Sequence, residues 1–242
     1  MIRTIITAVF LVFYFLLSLP LYGLIPLVGR VNAELADRMA QGSVKWALRR
    51  ILHIAGVRLQ IEGREHIPTD EAVLYIGNHQ SYFDIVATYP NVVGNVGYVA
   101  KQEIDRIALL RYWMPLLHGL TFDREDPRSG MKMIIAAIDN VKAGYSMFIF
   151  PEGTRSKDGT LGEFKAGSFK ISTRTNCPVI PVAITGTAEI FEKHIPFIRP
   201  ADVVIRFGKP IRPDELDKEE KKHIARLVQG TIQEMLGSKL VV

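Results

Sequence analysis

The run Gly77-Asn78-His79-Gln80-Ser81-Tyr82-Phe83-Asp84 sets a histidine five residues before a carboxylate, directly after the apolar run Val73-Leu74-Tyr75-Ile76. On one straight helix such residues point about 140° apart and cannot pair. They can pair if a strand ends at Asn78 and a helix capped by Ser81 begins at Tyr82. Asp84 then lies in the first turn and reaches back to a loop histidine. A carboxylate on one ring nitrogen fixes the tautomer and leaves the other nitrogen as a base. A plainer reading makes Ser81 and Asp84 a capping box, which accounts for both but gives no reason for His79.

A second polar segment, Phe150-Pro151-Glu152-Gly153-Thr154-Arg155-Ser156, follows the apolar run Met147-Phe148-Ile149. Pro151 and Gly153 predict a tight turn that offers Glu152, Thr154 and Arg155 at a strand end. The guanidinium fork of Arg155 suits a phosphate, and Lys165 and Lys170 follow as further cations. Lys101-Gln102-Glu103 and Phe122-Asp123-Arg124 bring more charge to strand ends, although a solvated charge is the usual outcome for either. Cys177 is the one cysteine; before a proline and an apolar run it reads as a buried, inert thiol.

These segments need a frame. Short β-type runs at 57–61, 73–77, 96–100, 146–150, 179–184 and 203–207 alternate with helical stretches at 82–88, 130–142, 168–173 and 214–236. Consecutive apolar positions in the strands predict burial on both faces. The expected class is α/β, a mostly parallel twisted sheet with helices on both faces and the site at the carboxyl ends of its strands. Pro181 within 179–184 marks either an edge strand or the wall of an apolar pocket.

The N-terminus differs in kind. No charged residue occurs from Thr4 to Gly29, and Ile5–Leu19 is an almost pure apolar run before Pro20. Fifteen residues rise about 22 Å, short of a hydrocarbon core of about 30 Å. A bend at Pro20 is therefore expected, giving a one-leaflet anchor with Arg3 and Arg30 at the same surface. A tilted span through a proline kink is the rival. A cleaved signal peptide competes, but no small-x-small site precedes Gly23. Residues 33–55 set Lys45, Arg49 and Arg50 beside Trp46, a mix that settles at headgroup depth. The chain thus divides into a membrane-anchoring helical segment, 1–55, and a catalytic domain, 56–242. The net charge of +5 suits an anionic membrane surface; nucleic acid is not expected, because no recognition motif is present.

Together the segments resemble the glycerophospholipid acyltransferase superfamily, and within it the 1-acylglycerol-3-phosphate (lysophosphatidate) acyltransferases. The His-x4-Asp motif is matched at His79–Asp84, Phe-Pro-Glu-Gly-Thr-Arg-Ser at Phe150–Ser156, Val-Ile-Pro-Val at Val179–Val182 and Lys-x-Glu at Lys101–Glu103. Phe122-Asp123-Arg124 departs, with one residue before the arginine where the family has two. The resemblance implies transfer of an acyl group from acyl-carrier protein or acyl-coenzyme A to the 2-hydroxyl of lysophosphatidate, without an acyl-enzyme, a cofactor or a metal. It implies His79 as base, Asp84 as its partner, Lys101, Arg124 and Arg155 on the phosphate, and Glu152 and Thr154 on the glycerol. Backbone N–H groups near Gly153 are candidates for the oxyanion, and an inner membrane with the catalytic domain on its cytoplasmic side is the expected location. A lipid hydrolase would want a Gly-x-Ser-x-Gly elbow, which is absent. A silent lipid-binding relative would be expected to lack His79 or Asp84.

Overall fold

In a computed structural model, residues 1–237 are described; 238–242, the end of the expected catalytic domain, lie outside them. Among the described residues seven strands form one sheet: β1 (Arg58–Glu62), β2 (Leu74–Gly77), β3 (Val96–Lys101), β4 (Leu120–Phe122), β5 (Ser146–Ile149), β6 (Val179–Thr185) and β7 (Asp202–Phe207). Their order is β1-β7-β6-β2-β5-β3-β4, and only the β6–β7 pair is antiparallel. Five neighbours, β6, β2, β5, β3 and β4, therefore end on the same edge of the sheet.

Both faces are covered, as the unbroken apolar strands require. Tyr75, Phe148 and Tyr98 face one side in cross-strand register, with ring centroids 5.8 and 4.6 Å apart. Stacked pairs of this kind add about 0.5–1.5 kcal/mol each beyond area burial. This face packs against α2 (Ala33–Ala55) and α3 (Phe83–Thr88). Leu74, Ile76, Met147 and Ile149 face the other side, under α5 (Pro127–Lys142), α6 (Lys170–Thr175) and α8 (Ile224–Gly237). Two elements were not legible in the sequence: β4, only three residues long, and α4 (Ala108–Leu116). The helix expected over 214–236 is broken at His223 into α7 (Lys218–Lys222) and α8.

Pro181 is not at an edge, because β6 runs between β7 and β2. The proline is tolerated where the ladder is interrupted. Its carbonyl takes the Gly208 N–H, and pairing with the incoming chain resumes at Val179–Ile211, so the absent N–H faces the irregular Lys209-Pro210 turn.

The bend expected at Pro20 is absent. α1 is one helix, Ile2–Gly29, with Pro20 and Pro26 inside it, and 28 residues rise about 42 Å. Two lost N–H groups are tolerated because α1 lies along α2 as an antiparallel hairpin. The Arg3 guanidinium donates to Ile54 O and Tyr14 pairs with Ser43. Ile25, Ala36, Ala40 and Trp113 of α4 close the far end. The hairpin lies flat on the body: Thr4 Oγ1 accepts from Ile198 N at one end, and Tyr22 donates to Leu109 O toward the other. The outward face of α1 remains exposed and apolar, and by length and composition the helix is able to cross a membrane.

Candidate active site

β2 closes on Gly77, where a Cβ would come within 3.0 Å of the Phe148 ring. Asn78 then extends the ladder with its side chain: Nδ2 donates to Ile184 O and Oδ1 accepts from Ile184 N. This fixes the backbone one residue before His79. α3 begins at Phe83, one residue later than expected, with the Ser81 hydroxyl accepting from Phe83 N. Asp84, wholly buried, turns back as the spacing predicts. Its Oδ2 accepts from His79 Nδ1 at 2.7 Å and from the N–H groups of Gln80 and Ser81; its Oδ1 accepts from the Thr187 hydroxyl. The capping and pairing readings thus coexist in one carboxylate. His79 stacks on Phe150 with centroids 4.2 Å apart, and Nε2 is its remaining nitrogen.

The second segment is a turn with Gly153 at φ 71°. A side chain there would also meet Lys165 Nζ at 2.9 Å. Glu152 points inward and away from the cleft: Oε1 accepts from His79 N and Oε2 from Gly162 N. Burial raises its pKa, while the His79 and Gly162 N–H bonds pull it down. Gly153 N is taken by Phe150 O, and Ser156 N by His79 O. Among the described residues the N–H groups of Thr154 and Arg155 have no intramolecular acceptor.

Arg155 lies 3.8 Å from the centre of the Tyr82 ring, bonds the Tyr82 hydroxyl and pairs with Glu192 at 3.2 Å. The Glu192 carboxylate also accepts from Ser81 Oγ and Tyr82 N, so it ties the start of α3 to Arg155. Neither Thr187 nor Glu192 was found by sequence reasoning. Both come from the β6–β7 connection, about a hundred residues away, and no motif marks them.

A cleft of about 540 Å³ gathers His79, Lys101, Arg124, Gly153, Thr154 and Arg155 at the shared strand edge. Lys101 pairs with Glu103. Desolvation lowers the pKa of Arg124, offset by Glu103 and reinforced by Arg155 nearby. Asp84 stands behind His79, and Glu152 behind the turn. A second pair, His118 Nε2–Asp37 Oδ1, has the same 2.7 Å separation, but stacks on Tyr145 and receives Asn95. It pins α2 to the body rather than lining the cleft. Distance alone does not distinguish a dyad.

The cleft at the shared strand edge thus holds His79, backed by Asp84, together with three cations. An acyltransferase family model matches residues 58–185, and the chain belongs to that family. Within it, similarity runs to proteins named 1-acyl-sn-glycerol-3-phosphate acyltransferase. The chloroplastic BAT2 of Brassica napus is 35% identical over 69% of this chain and 50% of its own length. LPAT1 of Arabidopsis thaliana, also chloroplastic, is 34% identical over 69% and 48%; the Borreliella burgdorferi protein is 28% identical over 76% and 74%. The chain thus spans about half the length of the two plant relatives. The crystal structure of the 1-acyl-sn-glycerophosphate (LPA) acyltransferase PlsC of Thermotoga maritima matches with a TM-score of 0.75 at 26% identity, covering 98% of this chain and 99% of that one.

Proposed function

We propose that this protein transfers a fatty acyl group from a thioester of acyl-carrier protein or coenzyme A to the sn-2 hydroxyl of 1-acylglycerol-3-phosphate, giving phosphatidic acid. The observation that carries the reading is one cleft in which a histidine with a buried carboxylate behind it meets Arg155, Lys101 and Arg124. Relatives matched over 69–76% of the chain are named 1-acyl-sn-glycerol-3-phosphate acyltransferases, which supports the acceptor. His79 Nε2 takes the hydroxyl proton as the oxygen attacks the thioester carbonyl. The C–S bond then breaks, and the leaving sulfur takes the proton from the imidazolium. Asp84 holds the tautomer and stabilises the imidazolium, and a base so placed contributes about 10²–10⁴-fold. The N–H groups of Thr154 and Arg155 are the oxyanion donors in this scheme, because Gly153 N is already engaged. The three cations hold the phosphate and Thr154 the glycerol. Glu152 acts at one remove, by bracing the His79 loop. Cys177 is buried and its thiol pKa raised by that burial, so it offers no nucleophile.

The membrane reading follows from α1. A helix fastened to the body near both ends lies in the plane of a membrane, not across it, so its apolar face enters one leaflet. Arg3 then shares the side of the catalytic domain without any bend. Residues 1–55 serve as the anchor and the remainder as the catalytic domain, on the cytoplasmic side where the soluble donors are.

Purified protein given lysophosphatidate and other lysophospholipids, with each donor, tests the reading by mass spectrometry of the products. Phosphatidic acid from lysophosphatidate is expected. Free fatty acid alone, or acylation confined to another lysolipid, would overturn it.

A further inference from the structure

The β6–β7 connection, residues 186–201, has three attachments. Thr187 reaches Asp84, Glu192 reaches Arg155 and the start of α3, and Ile198 N reaches Thr4 Oγ1 at the start of α1. Ile198 itself is buried, whereas Ile195 and Phe197 beside it are 64% and 41% exposed. They emerge where Ile2 and Ile5 of α1 are also exposed. The Thr4–Ile198 bond makes the two apolar surfaces continuous. Arg199, exposed, flanks the tip with positive charge, while Lys193 is paired with Glu189; one cation beside an apolar tip suits an anionic headgroup layer over an apolar one. At the cleft mouth, Tyr82, bonded to Glu192 of this connection, and Ile107 are exposed as well.

We propose that residues 193–199 form a second lipid-contacting element, with Ile195 and Phe197 entering the same leaflet as the outward face of α1 at the mouth of the cleft. The inference rests on the membrane attachment proposed above. It gives the loop a reason to be apolar at its tip and acidic at Glu192. The tip seats in the bilayer while the carboxylate, three residues earlier, orients the arginine that meets the acceptor's phosphate. An acceptor leaving the leaflet then enters the cleft beside Arg155.

The test uses the full chain in a Cys177→Ser background, with single cysteines at Phe197, Val9 of α1 and Lys222 of α7. Each carries an environment-sensitive fluorophore and is mixed with phosphatidylglycerol–phosphatidylcholine vesicles, with or without a spin-labelled acyl chain. Lys222 adjoins α8, on the sheet face opposite α2, and serves as the aqueous control. Positions 197 and 9 are expected to blue-shift and be quenched by the spin label, with 222 unchanged. Ile195→Ser with Phe197→Ser, both on the surface, is expected to weaken vesicle partitioning by at least about tenfold, a lower bound for the loss of two inserted apolar side chains. Position 197 remaining aqueous while position 9 is quenched would overturn the loop and leave the anchor standing. Both remaining aqueous would overturn the membrane reading itself.

Discussion

Asp84→Asn isolates charge from geometry at this site. Three N–H donors, from His79 Nδ1, Gln80 and Ser81, converge on Oδ2, whereas Oδ1 receives only the Thr187 hydroxyl. An asparagine must therefore put its carbonyl oxygen at the Oδ2 position and its amide nitrogen toward Thr187, whose hydroxyl can rotate to accept. The imidazole keeps its Nδ1–H bond and its tautomer; only the negative charge is lost. A bare Coulomb term at 2.7 Å with an effective dielectric near 20 sets a ceiling of about 6 kcal/mol. His79 retains some solvent contact, so the contribution of a charged hydrogen bond, about 1.5–3 kcal/mol, is the better guide. That corresponds to a fall in kcat of about 10- to 150-fold. Initial rates of phosphatidate formation, with circular dichroism melts as the folding control, supply the measurement. A rate within threefold of wild type would reduce Asp84 to a cap. A loss beyond about 10⁴-fold in a folded variant would mean that the tautomer escapes the two backbone donors after all.

Other substitutions separate bracing from binding. Glu152→Gln leaves one of two backbone N–H groups facing an amide donor and is expected to cost about 1–3 kcal/mol, read as a loss of several degrees in Tm. Burial raises the Glu152 pKa, so proton binding by Glu152 contributes stability that is fully present below the ordinary carboxylate range and lost as pH rises through the folded value. The wild-type advantage over Glu152→Gln should accordingly narrow from acid toward neutral pH in denaturant titrations. Arg155→Ala is expected to raise KM for lysophosphatidate about tenfold or more with little effect on KM for the thioester, and Arg155→Lys to rescue it poorly, because a point charge does not replace the fork. Glu192→Ala, by freeing Arg155 and the start of α3, should mimic part of that KM effect; unchanged kinetics would remove Glu192 from the site.

The His79–Asp84 pairing could be read from the sequence because both partners belong to one local unit, a strand end and the first turn after it, where spacing fixes reach. Lys101 and Arg155 were legible for a related reason: they end or follow strands of a parallel sheet, which brings such segments to one edge, whereas the strand before Arg124 gave no signal of its own. Thr187 and Glu192 were not legible, because their roles depend on the β6–β7 connection folding back across the edge, a long-range placement with no periodic signature. Glu152 was visible in its motif, but not its direction; only the Gly162 and His79 N–H groups turn it inward. At Pro20 local propensity misled, since the hairpin contacts with α2 and α4 override a helix breaker. Of the two readings of Pro181 the edge strand fails, because the interruption that accommodates the proline is made by Gly208 and Ile211.

If His79 removes the acceptor's proton, His79→Ala must abolish transfer without unfolding the protein. With purified protein, vesicle-borne lysophosphatidate and an acyl thioester, phosphatidate formation is expected to fall at least about 10²-fold, with Tm and vesicle binding unchanged. Formation within tenfold of wild type would contradict that role for His79.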